Sequence, residues 1–187
     1  AIDPPAEIRQ LLAGMGGSLP RSRPVPAEQL HLTLRFIGEV EGGLAQDIAA
    51  RLSDIRHPAL ALCLRGVGTF SFRGEPSVLW AGVEPRVGLF SLRAAVEKEL
   101  SDLGLRREKG RFSPHFTLAR LKNCPARHLH PFLAGNALLR SEPFAVNSFQ
   151  LYRSQLTTQG AQHQLLHSYP LSTRLARLTN SDQVSGP

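Results

Sequence analysis

His31-Leu32-Thr33-Leu34 is repeated later in the chain as His115-Phe116-Thr117-Leu118, and both copies sit in short runs that predict β-strands. Side chains alternate along a strand, so His31 and Thr33 share one face, and so do His115 and Thr117. Leu32, Leu34 and Phe36, and Phe116 and Leu118, are expected to point the other way, into a core. Arg35 joins the His31 face by the same alternation. Arg120 falls opposite His115 unless the second strand bulges or ends first. Two such strands meeting at a cleft would surround one small anion with two imidazoles and two hydroxyls.

The surroundings of the two motifs also repeat. A helix over 5–16, with Asp3 as its cap, precedes the basic, Pro-containing stretch Arg21-Ser22-Arg23-Pro24-Val25-Pro26 and a first motif strand over 30–37. In the second half, Leu89, Leu92, Val96, Leu100 and Leu103 follow the helical period. The basic residues Arg106, Arg107, Lys109 and Arg111 come next, and then the second motif. Leu44, Ile48, Leu52 and Ile55 predict another helix. Strands are expected over 59–64, 78–83, 144–152 and 162–171, with a loop or irregular hairpin over 66–76. Helices and strands mix without regular β-α alternation, so the expected class is α+β, and the internal repeat suggests a duplicated lobe whose approximate two-fold symmetry brings the two motif strands together. Residues 1–171 are read as one bilobal domain and 172–187 as a polar tail.

Composition narrows the chemistry. The chain has 187 residues, and no apolar run approaches the roughly 18 needed to span a bilayer, so no membrane association is expected. Ala1-Ile2-Asp3-Pro4-Pro5 lacks a secretory pattern, and the absent initiator Met points to processing or truncation. Cys63 and Cys124 have no CxxC partner, which fits a reducing, cytoplasmic setting. The formal charge is +7, and 19 of the 22 basic residues are Arg. RNA or DNA is the first polyanion such a surface would attract; a genome favouring Arg codons explains the same count equally well. His57, His128, His130, His163 and His167 show no partner pattern and are read as surface or structural. His128 and His130 lack nearby acidic ligands, so neither a metal nor a cofactor is expected. Trp80 and the Phe residues read as core, with Phe70 and Phe72 as exceptions.

Histidine titrates near neutrality, so one imidazole can accept a proton while another donates one. Attack of water on a cyclic phosphodiester needs both services, and hydroxyl or Arg donors can hold the charge that gathers on the phosphorane oxygens. One His-x-Thr alone is ordinary strand composition. Two copies with matching flanks are not.

With these residues in view, the sequence resembles the 2H phosphoesterases, and within them the RNA 2′,3′-cyclic phosphodiesterases long called 2′-5′ RNA ligases. The resemblance covers roughly 1–171. It is carried by Leu30-His31-Leu32-Thr33-Leu34-Arg35-Phe36-Ile37-Gly38, Val78-Leu79-Trp80-Ala81-Gly82, Phe112-Ser113-Pro114-His115-Phe116-Thr117-Leu118-Ala119-Arg120 and Leu151-Tyr152-Arg153-Ser154. It implies a bilobal α+β fold with the site between antiparallel sheets. It also implies His31 as proton donor to the leaving 3′ oxygen and His115 as acceptor from water, with Thr33 and Thr117 on the phosphate. An Arg at the position of Arg120 commonly accompanies the second motif. Separately, the chain is expected to be a monomer. The implied reaction is metal-independent opening of an RNA 2′,3′-cyclic phosphate to a 2′-phosphomonoester, on tRNA fragments or in general RNA turnover. Its reverse gives a 2′-5′ bond. Two alternatives keep part of this: a phosphodiesterase of small cyclic nucleotides or cyclic ADP-ribose phosphate, and a non-catalytic RNA-binding module.

Overall fold

The computed structural model describes residues 1–157 and 160–172. In chain order the elements are α1 (Ala6–Gly16), β1 (Ser22–Pro24), a single 3-10 turn (Ala27–Gln29), α2 (Gly42–Ser53), β2 (Leu60–Phe72), β3 (Glu75–Glu84) and α3 (Val87–Asp102). They continue with β4 (His115–Leu121), α4 (Ala126–Gly135), β5 (Phe144–Val146), β6 (Ser148–Thr157) and β7 (Gly160–Pro170). Strands β1-β4-β3-β2-β5 make a five-stranded sheet whose ladders are all antiparallel, and β6-β7 form a separate hairpin. The mixture is α+β, as expected. The two halves are unequal, because the second motif lies in a full ladder and the first does not.

Residues 30–37 are the clearest departure from the predicted elements. Leu32 alone pairs, with Ile2 on one side and Phe116 on the other, both antiparallel. Ile2 and Leu32 exchange backbone N–H···O bonds of 2.8 Å in each direction, and Ala1 and Gln150 are joined in the same way. The chain start therefore couples the β6–β7 hairpin to the first motif, and Leu32 couples both to β4. Leu32 and Phe116 are 0% exposed, which anchors the two motifs at one point of the core. The backbone bends at Leu34, and Phe36, expected in the core, is 61% exposed.

Several other differences have local causes. Asp3 does not cap α1, whose N-cap is Pro5; its carboxylate instead accepts a hydrogen bond from the Tyr152 hydroxyl at 2.7 Å. The predicted loop over 66–76 is the distal part of a long β2–β3 hairpin, with bulges between Leu64 and Val67 and between Phe70 and Ser71. Arg73 and Gly74 close it with positive φ at both positions, the pattern of a type I′ turn. The predicted strand 144–152 divides at Asn147 into β5 and β6. Helix α4 has Leu129, Phe132 and Leu133 at helical spacing against the core, but the proline inside it, Pro131, is an ordinary helix breaker and hides the signal in the sequence. Ser172 is tied to the domain through His57 and Ala59, and the rest of the expected tail, 173–187, lies outside the described residues.

Helix α1 lies close over β4. A Cβ on Gly16 would sit 2.6 Å from the Leu118 carbonyl oxygen, so only glycine lets the helix approach the second motif this nearly. Ile8 and Leu12 of α1, Leu89, Leu92, Val96 and Leu100 of α3, and Leu118 on the back of β4 join one continuous core. No described helix is long and apolar enough to cross a membrane.

Candidate active site

Antiparallel pairing of Leu32 with Phe116 sets residue 31 beside 117 and residue 33 beside 115. Each histidine thus neighbours the other motif's threonine. Leu32 and Phe116 turn inward, so all four motif side chains emerge on one side, and each is partly exposed. The crossed arrangement forms from two loci far apart in sequence, joined by one buried pair.

The two imidazoles are held identically. His31 Nδ1 lies 2.9 Å from the Gln29 carbonyl oxygen, and His115 Nδ1 lies 2.6 Å from that of Ser113. A carbonyl only accepts, so both Nδ1 atoms carry a proton and donate it. Each ring therefore presents Nε2 for chemistry, in a tautomer set by the backbone two residues upstream. Among the described residues no carboxylate orients either ring.

Burial is the main influence on both rings, and it disfavours the imidazolium. His31 is pushed down to about 4; the Gln29 carbonyl bond works against burial, and neighbouring His163 adds to it. His115 is lowered too, first by burial and last by the Arg120 charge, with the Ser113 carbonyl opposing. Burial thus favours the neutral form of both rings in the free protein. An anion placed between them would favour their protonated forms.

Each histidine has two rings beside it. Phe70 stands edge-on to His115 with centroids 4.8 Å apart, and Trp80 lies 5.4 Å from Phe70 and 6.4 Å from His115. Trp80 packs across Gly68, where a Cβ would be 2.3 Å from the indole. On the other side, His163 meets His31 edge-on at 4.6 Å, and Tyr152 lies at 5.8 Å. His163 is fixed by the Ser154 hydroxyl at Nδ1, 2.8 Å, and its backbone N–H donates to Gln29 Oε1 at 2.7 Å. Phe70 is an exception to the core, as expected. Trp80 lines the site as well, and His163 belongs beside His31 rather than with the surface histidines. The only sequence signal for His163 was its place in a strand; its approach to His31 depends on the β6–β7 register, which pairs Ser154 with His163.

The arginines divide. The ladder between β3 and β4 slips between Leu79 and Trp80, which face Ala119 and Thr117, so Leu118 is an extra residue on β4. Leu118 and Ala119 are consecutively buried, and Arg120 is exposed on the side of His115 and Thr117. This is the bulge that strict alternation required for Arg120 to join the motif face. Arg35 goes elsewhere. Its Nε lies 2.9 Å from Glu97 on α3, and its two terminal nitrogens bond the carbonyls of Phe36 and Arg106. The bend at Leu34 ends the alternation that would have kept Arg35 beside His31. Among the described residues, no cluster of three or more His, Cys, Asp or Glu side chains is placed to hold a metal ion.

Residues 4–158 match the model of the 2′-5′ RNA ligase superfamily. An RNA 2′,3′-cyclic phosphodiesterase of Aeropyrum pernix is 37% identical over 87% of this chain and 92% of its own. One of the same name from Thermus thermophilus is 36% identical over 88% and 81%. Among solved structures, Escherichia coli LigT complexed with 3′-AMP superposes with a TM-score of 0.73 at 28% identity, covering 92% of this chain and 95% of that one. TT0787 of Thermus thermophilus reaches 0.76 at 27%, covering 91% and 95%. The chain belongs to the 2′-5′ RNA ligase superfamily.

Proposed function

We propose that this protein hydrolyses the 2′,3′-cyclic phosphate at an RNA terminus to a 2′-phosphomonoester, with His115 as general base and His31 as general acid. The observation that carries the reading is the crossed pair of motifs, with both Nδ1 atoms spent on backbone carbonyls and both Nε2 atoms left for one anion. The relatives' shared name supports the choice of substrate.

In this mechanism His115 Nε2 takes a proton from water as its oxygen bonds to phosphorus. The P–O3′ bond breaks, and the proton on His31 Nε2 passes to the leaving 3′ oxygen. His115 ends protonated and His31 neutral, and exchange with solvent restores both. Thr33 and Thr117 donate hydroxyl protons to the non-bridging oxygens, and Arg120 adds positive charge where negative charge builds. The bound phosphodiester supplies the negative charge that counters the burial of His31 and permits its protonated state. By microscopic reversibility the same groups can join a cyclic phosphate to a 5′-hydroxyl. Water's abundance favours hydrolysis.

Turnover of a cyclic-phosphate oligonucleotide in EDTA, with mapping of the product phosphate, tests the reaction. A 2′-phosphate is expected, and its absence would contradict the reading. A substrate with sulfur in place of the 3′ oxygen tests the roles, because a thiolate leaves without a proton. It should restore His31→Ala and not His115→Ala; the reverse pattern would exchange the two assignments.

A further inference from the structure

The face that carries His115 and Thr117 continues past the bulge into a cluster of cations. Arg23 on β1 lies directly across from Arg120 on β4. Beyond it, the Lys122 N–H donates to the Arg21 carbonyl at 3.0 Å, which sets a second pair of cations side by side. Arg21, Arg23, Arg120 and Lys122 are all exposed, and with Ser22 and Asn123 they line an open cavity of about 610 Å³.

Like charges directly opposite one another on neighbouring strands destabilise a sheet. Here the arrangement occurs twice in succession, and among the described residues none of the four cations forms an ion pair. Arg35, Arg51, Arg65 and Arg93, by contrast, each meet a carboxylate. No described carboxylate offsets the repulsion, whereas a polyanion lying across the four would. At the rise of a strand, Arg120 and Lys122 lie about 10 Å and about 16 Å beyond Thr117.

We propose that Arg21, Arg23 and Lys122 form a phosphodiester track that holds the RNA strand 5′ of its reacting end, with Arg120 joining track to site. The inference rests on the reading of the protein as a phosphodiesterase of RNA termini. A cyclic mononucleotide spends its only phosphate at the two threonines and leaves none for the track. A longer strand has further phosphates to place there.

The test compares kcat/KM for a 2′,3′-cyclic mononucleotide and for an RNA of about ten nucleotides with the same end, between about 50 and 200 mM salt. The proteins are the wild type, the double variant Arg23→Ala with Lys122→Ala, and the charge-keeping double variant Arg23→Lys with Lys122→Arg. Each cation on a single-strand phosphate adds about 0.7 to the slope against log salt, so the alanine pair should flatten the slope for the long RNA by about 1.4. The charge-keeping pair should retain the wild-type slope, and all three proteins should treat the mononucleotide alike. The alanine pair should melt no lower than the wild type, since it removes like-charge repulsion; a lowered Tm would assign the residues a structural role and overturn the track. Equal slopes on the long RNA, or an equal loss on the mononucleotide, would also overturn it and leave the phosphodiesterase reading standing. Failure of the wild type to turn over either substrate would overturn that reading and the track with it.

Discussion

Acid should destabilise this protein in part through His31, and replacing that residue should remove the effect. Burial beside Tyr152 and His163 holds the folded ring at about 4, against an ordinary 6.5. As pH falls from about 6.5 to about 4, the unfolded chain binds a proton that the folded one refuses. The stability linked to His31 is therefore fully present above about 6.5 and is lost on the way down to about 4. That gap corresponds to about 3 kcal/mol, a large share of the 5–15 kcal/mol that holds a domain folded. The assay is urea unfolding of the wild type and His31→Gln across this range. Gln keeps much of the side chain's volume and does not titrate. The other acid-sensitive groups, including His115 and His163, largely cancel in the difference between the two proteins. The difference should change by about 3 kcal/mol over the window and be level above pH 7. A difference that stays constant with pH would refute the burial argument.

Arg35→Ala should cost about 1–2 kcal/mol, because Glu97, whose side chain is 13% exposed, loses its nearer partner and keeps only Arg93 at 3.4 Å, while KM for a cyclic phosphate stays unchanged. Urea melts and Michaelis–Menten kinetics would check both, and a raised KM would return Arg35 to the site. Gly68→Ala drives a methyl into the Trp80 indole, so a loss of about 1–3 kcal/mol is expected, with lower kcat/KM as the wall beside His115 shifts. A normal Tm would show that the indole moves aside freely. Tyr152→Phe removes the hydroxyl bonded to the Asp3 carboxylate and should cost about 2 kcal/mol in chemical denaturation. No loss would mean that this contact does not help to tie the chain start to β6.

How much of the site was legible in the sequence depends on how locally each part is determined. The two His-x-Thr pairs could be read because alternation is a property of a few consecutive residues, and burial of Leu32 and Phe116 enforces it. Arg120 could be read only conditionally, since a bulge at Leu118 is a matter of register against β3 and leaves no mark on β4 itself. Arg35 departs from its expected face for the opposite reason: only one residue of the expected strand, Leu32, pairs, and beyond the bend Glu97 on a distant helix captures the guanidinium. His163 reaches the site through the β6–β7 pairing and Trp80 through the β3–β4 ladder, which pattern within one segment does not encode. The carbonyls of Gln29 and Ser113 were invisible in principle, because every residue has one and only folding aims it. The mixture of helices and strands was readable because α1, α2 and α3 carry regular apolar spacing, whereas the 66–76 hairpin hides behind glycines and bulges.

The claim that two imidazoles act on one phosphate is tested most directly by the single-turnover rate on a cyclic-phosphate oligonucleotide at saturating enzyme, for the wild type, His31→Ala and His115→Ala. General acid and base catalysis each contribute on the order of 10²–10⁴ in rate, so each variant should fall at least about a hundredfold. Either variant retaining more than roughly a tenth of the wild-type rate would contradict the two-histidine account.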